Sequence, residues 1–293
     1  MAEITFEQLL EAGAHFGHIT RKWNPAMAPY IFMEKNGRHI IDLHKTLAKV
    51  DEAAGVMRGM AKSGKKILFV GTKKQVKETI AELAQSVGMP YVVERWSGGM
   101  LTNFPTIRKA VKKMVQIDKM KEDGTYDNLS KRERLQVDRQ RAKLELNLGS
   151  IKDMNRLPSA LFVVDVMKEH IAIREAQRLG IPVFAVIDTN ANPAMVDYAI
   201  PANDDSAKAV ELILGELCKA ISEGVMEHKA EREAEEAAEA KALEENATAA
   251  PRRGRRSRTG AALAPNQEEA AEQATQEEAA PVAEIAPEQE PEA

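Results

Sequence analysis

Apolar residues in this chain recur at two spacings, and the two spacings alternate. KTLAKVDEAAGVMRGMAKSG places Leu47, Val50, Ala54 and Met57 on one helical face, with Gly64 as a stop. KKILFVG follows as a short unbroken apolar run, the pattern of a strand buried on both faces. TKKQVKETIAELAQSVG returns to helical spacing with Thr72 at its cap and Gly88 at its end, and MPYVVER is a second strand. After residue 157, PSALFVVDV reads as a strand, KEHIAIREAQRLG as a helix, IPVFAVID as a strand and YAIP as a short strand. A long helix from Asp205 to about Glu227 closes the body. The alternation predicts an α/β fold, a three-layer sandwich around a parallel sheet of about five strands, of the flavodoxin/Rossmann kind.

Two stretches break the pattern. At the N-terminus, Phe6, Leu9, Leu10 and Gly13 suit a short amphipathic helix capped by Thr5. Residues 15–43 then read as irregular, except that YIFMEKNGRHIIDL suits two short strands around an Asn36-Gly37 turn. Residues 104–150 carry no strand signal. Ile107, Val111 and Met114 form one narrow stripe; Val137, Leu144, Leu148 and Ile151 form another; EDGTYDNLS between them is a loop, with Ser130 placed as a cap. Narrow stripes on otherwise charged helices predict an antiparallel, coiled-coil-like hairpin that projects from the body, rather than two helices laid on the sheet.

The organisation expected is a discontinuous body, residues 1–103 and 151–228, interrupted by a hairpin insert at 104–150 and followed by a tail at 229–293. Ala, Glu, Gln and Pro dominate the tail. Its first part, AEREAEEAAEAKALEE, suits an extension of the last helix. The remainder lacks the apolar surface needed to offset the entropy of ordering and is expected to be disordered.

Charge becomes informative only when split at that boundary. The chain's formal net charge is −4, but the tail holds 8 Lys and Arg against 16 Asp and Glu, and the rest holds 33 against 29. A basic body of +4 therefore precedes an acidic tail of −8, and a basic body suits a polyanionic partner. The lone Cys218 sits in an apolar helical pattern, which excludes an internal disulfide framework and fits a reducing compartment. MAEITFEQLLEAG lacks the layout of a signal peptide, and no apolar run reaches the ~18 residues of a membrane span. The expectation is a soluble intracellular protein with no membrane contact.

Enzymatic readings are thin. ILFVGTKK followed by Glu94 imitates a dinucleotide-binding unit, yet positions 73 to 76 are Lys, Lys, Gln and Val where glycines are required. Lys73 and Lys74 at a helix start would still suit a phosphate. Asp165, Asp188, Asp204 and Asp205 fall at strand ends, and His18 could join them around a divalent cation, although Asp at strand ends commonly caps the next turn. No cofactor, catalytic group or small-molecule substrate is expected.

Cations interleaved with aromatics are more telling. Arg21, Lys22, Trp23, Asn24 and Arg38 lie in the N-terminal segment, and RWSGGMLTNFPTIRK carries Arg95, Trp96, Asn103, Arg108 and Lys109. Such residues on Gly-containing loops suit folded RNA, whose phosphates take Arg and Lys and whose unpaired bases stack on aromatic planes. Either tryptophan equally suits the core. The hairpin adds Lys112, Lys113, Lys131, Arg132, Arg134, Arg139, Arg141 and Lys143, interspersed with Glu133, Asp138 and Glu145 as helix pairs.

The runs LLEAGAHFGHITRKWNPAMAPYIF, ILFVGTKK, RWSGGMLTN and PSALFVVDVMKEHIAIREAQRLGIPVFAVIDTN, in this order from about Thr5 to about Gly224, closely resemble the bacterial small-subunit ribosomal protein S-two family. The resemblance implies a parallel α/β sandwich with an inserted helical hairpin. It also implies a structural protein that binds small-subunit ribosomal RNA, contacts other small-subunit proteins and helps recruit ribosomal protein S-one, the large mRNA-binding protein. It gives no role to the tail or to its basic island PRRGRRSR.

Overall fold

The computed structural model describes residues 4–248, the side chains of 235 and 237–248 excepted. The chain divides into two compact units, Met1–Leu243 and Glu244–Ala293, and the sheets and the hairpin belong to the first.

The parallel sheet is built from β4 (Ile67–Val70), β5 (Tyr91–Val92), β6 (Ala160–Val164), β7 (Val183–Ile187) and β8 (Tyr198–Pro201), in the order β5-β4-β6-β7-β8. Leu68 pairs with Leu161, Val163 with Ala185 and Val186 with Ile200, all in parallel register. Side chains alternate between two buried layers. Phe69, Phe162 and Phe184 face one core, shared with Leu9 of α1 (Phe6–Glu11), Val50 and Met57 of α2 (Leu43–Lys62), Ile80 of α3 (Lys77–Ser86) and Leu217 of α7 (Ala207–Thr248). Leu68, Leu161, Val163 and Ala185 face the other, shared with Ile173 of α6 (His170–Arg178) and with Leu148 and Ile151 at the root of the hairpin. Because both faces are covered, the strands are apolar throughout, and that is the origin of the unbroken runs. The α/β sandwich expected from the alternation is the fold observed.

The hairpin consists of α4 (Phe104–Glu122) and α5 (Lys131–Leu148). Ser130 opens α5 with a capping box: its hydroxyl accepts from the Glu133 amide, while the Glu133 carboxylate accepts from the Ser130 amide. Arg141 Nε lies 2.5 Å from Asp118 and Lys121 Nζ 2.7 Å from Asp138, so the pairs run in opposite directions along the two helices and the arrangement is antiparallel. Met114 and Ile117 are the buried residues of α4 and Leu148 that of α5, consistent with narrow stripes.

Two expectations are corrected. Phe16–Ile19, read as irregular, form a strand, β1, that pairs with β3 (Arg38–Ile41); β3 also pairs with β2 (Ile31–Lys35), giving an antiparallel sheet in the order β1-β3-β2. The β2–β3 turn has positive φ at Asn36 (54°) and Gly37 (70°), as an Asn-Gly hairpin requires. Thr72 does not cap a helix: α3 begins at Lys77 after Val76, and Thr72 instead donates its hydroxyl and amide to Glu169. The last helix, α7, runs past Glu227 to Thr248, so the first part of the tail is helical, the extension that AEREAEEAAEAKALEE suited. Ala, Glu and Lys are strong helix formers, and Lys62 on α2 reaches Glu231 at 2.8 Å. Residues 249–293, including PRRGRRSR, lie outside the described residues.

The contact between α2 and α7 depends on Gly224, where an added Cβ would stand 2.5 Å from Arg58 O and 2.9 Å from Ala61 Cβ. Gly224→Ala is therefore expected to lower stability by about 1–3 kcal/mol through overpacking, against alanine's better helix propensity. A denaturant midpoint equal to or above that of the parent would show that the two helices part freely.

Candidate nucleic-acid interface

A parallel sheet delivers all its strand ends to one edge. Here that edge collects Gly71–Lys73 after β4, residues 93–103 after β5, Asp165 after β6, Asp188 and Thr189 after β7, and Asp204 and Asp205 after β8. The switch point of the strand order lies there, between β4 and β6. The N-terminal segment is tied to the same edge. The His18 amide donates to Thr189 Oγ1 (2.9 Å) and Asp188 Oδ1 (3.2 Å), and the Asn24 amide donates to Thr189 O (2.8 Å). Asn24 also accepts from the Ala26 amide, capping the turn Pro25–Tyr30.

At the centre of this edge is a partly buried charge cluster, with Asp165, Asp188 and Asp204 buried and Asp205 at its exposed rim. Lys73 Nζ stands 3.2 Å from Asp165, 2.8 Å from Asp204 and 2.8 Å from Asp205. His18 Nδ1 lies 2.6 Å from Asp188 Oδ2, and its Nε2 lies 3.8 Å from Asp205. Four carboxylates thus meet one ammonium and one imidazole. Asp204 is only 1% exposed; burial, then the neighbouring charge of Asp188, pushes its pKa up to about 7. The hydrogen bond to Asp188 raises the pKa of His18. Burial works against the charge of Lys73, but its bonds to Asp204 and Asp205 outweigh that and raise its pKa. Asp165 holds this arrangement with φ of 72°, while its Oδ1 accepts from the amides of Met167 and Lys168.

This geometry bears on the enzymatic readings. Lys73, which suited a phosphate by sequence, is consumed by three carboxylates, and a phosphate entering the crevice would meet net negative charge. Glu94, the counterpart of a ribose-binding acid, is paired with Lys77 at 2.9 Å. One ligand atom each from His18, Asp188 and Asp204 lies within 4.8 Å of the others, a nitrogen and oxygen set of the kind a divalent cation accepts. The adjacent Lys73 ammonium already supplies positive charge to Asp204.

The remaining cations fall differently. Arg21 and Lys22 are exposed on a short turn, Arg38 is exposed at the start of β3, and Lys74, Arg95, Asn103 and Lys109 are exposed. None of the cations Arg21, Lys22, Arg38, Lys74, Arg95 and Lys109 makes an ion pair among the described residues. Trp23 leans on His39 with ring centroids 5.0 Å apart and stays 38% exposed. Trp96 is a core residue, its indole donating to Glu175 (3.2 Å). Arg108 donates to Asn155 O at 2.6 Å. His15 is half-buried against Phe16, and burial lowers its pKa. Sequence reasoning missed Glu175, although an acid among Ala172, Ile173 and Ala176 on the apolar face of α6 was a visible signal.

Residues 9–224 match the family model described as Ribosomal protein S2. The chain belongs to this family. It is 78% identical over 232 residues to the small ribosomal subunit protein uS2 of Porphyromonas gingivalis, covering 79% of this chain and 83% of that protein. It is 69% identical over 256 residues to the protein of the same name from Parabacteroides distasonis, covering 87% and 92%. Ribosomal protein S2 is a structural, non-enzymatic family of the cytoplasmic ribosome. Among the described residues, no helix is long and apolar enough to cross a membrane.

Proposed function

We propose that this chain is a structural constituent of the small ribosomal subunit that binds the subunit's ribosomal RNA with the strand-end edge described above. The observation that carries this is the sorting of cations there. Lys73 is neutralised within the fold, whereas Arg21, Lys22 and Arg38 from the N-terminal segment, Lys74 and Arg95 from the strand-end loops and Lys109 from the start of α4 stay exposed and unpaired among the described residues. Trp23 and Asn24 lie beside the first group, and Asn103 and Arg108 beside the second. Trp96 contributes from the core, as a support for its loop rather than a stacking surface. Recruitment of ribosomal protein S-one is part of the same reading, supported by the family resemblance. The exposed Phe16, Ile19, Phe32 and Met33 on the small antiparallel sheet suit protein contact better than RNA.

The test is salt-dependent binding of purified protein to small-subunit ribosomal RNA. Charge reversal at Arg21, Lys22, Arg95 or Arg108 is expected to weaken binding and to flatten the plot of log K against log salt by about one unit per lost phosphate contact. Unchanged affinity in all four variants would place the RNA surface elsewhere. For the second part, small subunits lacking this protein should bind ribosomal protein S-one less well, and equal binding would remove that role.

A further inference from the structure

Residues 93–103 connect β5 to α4 without regular structure of their own, and they carry Arg95 and Asn103 at the proposed RNA surface. A loop containing Gly98-Gly99 is costly to hold in one shape. What holds it is one side chain from a different element. Glu175, on α6, is 6% exposed and accepts five hydrogen bonds from this loop. Its Oε1 accepts from Trp96 Nε1 (3.2 Å) and the Gly99 amide (2.8 Å); its Oε2 accepts from the Leu101 amide (3.0 Å), the Thr102 amide (3.1 Å) and Thr102 Oγ1 (3.1 Å). Three of the five donors are backbone amides, so the loop wraps the carboxylate as a nest of N–H groups wraps an anion.

We infer that Glu175 is a positioning residue for RNA binding, an internal anion around which residues 96–102 fold so that Arg95, Asn103 and the first turn of α4 are presented in fixed places. The inference rests on the RNA-binding reading above. The arrangement is suited to a permanently charged anchor. Burial opposes ionisation, yet the Thr102, Gly99 and Leu101 amides and the Trp96 indole outweigh it and hold the pKa of Glu175 below its ordinary value. The anchor is therefore charged wherever the protein is folded near neutral pH. A glutamine in its place matches the shape but offers one acceptor oxygen, and it turns an NH2 group toward N–H donors. Two or three loop donors would then lose their partner in a buried setting, and the loop would open.

The experiment uses the full chain with Glu175→Gln, at a temperature where far-UV circular dichroism shows both proteins folded. In the free protein, amide hydrogen exchange at Gly99, Leu101 and Thr102 should quicken while the β6 and β7 amides keep their protection. Binding to small-subunit ribosomal RNA should weaken by about tenfold, with the salt slope flatter by about one unit, the worth of one phosphate contact. Arg95→Glu should then cost much less in the Glu175→Gln background than in the parent, because the contact is already lost. A merely structural role would lower the melting temperature and leave all three readouts unmoved below it. Parental affinity and slope in folded Glu175→Gln, or full additivity with Arg95→Glu, would overturn the inference. If Glu175→Gln does not fold, Thr102→Val, which removes one of the five donors and keeps the carboxylate, should show the same effects in smaller degree. If the parent itself shows no salt-dependent RNA binding, the functional reading fails, while the exchange measurement still decides whether Glu175 holds the loop.

Discussion

Lys73→Met is expected to destabilise the protein by about 3 kcal/mol, the lower end of the cost of removing one partner from a buried charge network, because Asp204 is buried while Asp205 is exposed. Methionine fills a similar volume, so the loss is electrostatic rather than a cavity. It leaves Asp165, Asp204 and Asp205 without their shared ammonium, with Asp188 beside them and only His18 to balance four carboxylates. The carboxylates would respond by taking up protons, so the loss should be smaller at pH 5.5 than at pH 8. Asp204→Asn alone removes one buried negative charge and should cost far less. The double variant should recover part of the loss, giving a coupling energy between the sites. Denaturant unfolding at both pH values decides the matter. A Lys73→Met protein within 1 kcal/mol of the parent at pH 8, well short of the expected loss, would mean that the cluster is solvated enough to need no countercharge.

Lys73 also marks where sequence reasoning stops. A Lys-Lys pair after an apolar run ending in Gly looks like a phosphate-binding helix start, and nothing near it in the chain says otherwise. The carboxylates that claim Lys73 come from positions 165, 204 and 205, brought together only because every strand end of a parallel sheet meets at one edge. The sheet itself was legible, because burial on both faces writes an uninterrupted apolar run into each strand. The hairpin was legible too: its stripe is local, and Ser130 with Glu133 carries its own start signal. β1 was not. Its four residues, FGHI, include a glycine and a histidine, and its pairing partner lies some twenty positions away in β3. The loop at 93–103 looked like an interface for its Arg, Trp and Asn. Half of that was visible, since Arg95 and Asn103 are exposed, but Trp96 turns inward because Glu175, far along the chain, receives its indole. Local pattern thus reports elements and caps. It cannot report which charges are spent inside the fold and which remain for a partner.

The same cluster is expected to make the protein lose stability as pH rises from about 5 to 8, the reverse of the usual carboxylate trend. Asp204 has its pKa raised from 3.8 to about 7 by burial and by Asp188. Between those values the folded protein keeps a proton that the unfolded chain has released. A group whose folded pKa is raised contributes stability that is full below its unfolded pKa and gone above its folded one, so Asp204 contributes a decline that ends near pH 7. A shift of this size corresponds to ~4 kcal/mol over the whole interval. His18, raised by its hydrogen bond to Asp188, acts in the same direction: its contribution is full below 6.5 and is lost as pH climbs through its folded value. Groups with lowered values, Asp205 beside Lys73 and Glu175 in its nest of amides, contribute the opposite slope. Their gain is complete once pH has passed the ordinary carboxylate range. Above it Asp204, His18 and Glu169, whose pKa burial raises, pull stability down, against His15, whose burial-lowered value adds stability as pH rises toward 6.5. Unfolding free energy measured at intervals from pH 5 to 8 should therefore fall, and Asp204→Asn should flatten the lower part of the curve while leaving the part due to His18. A parent whose stability rises across this range would show that Asp204 is ionised in the fold throughout, with Lys73 alone sufficient to hold its charge.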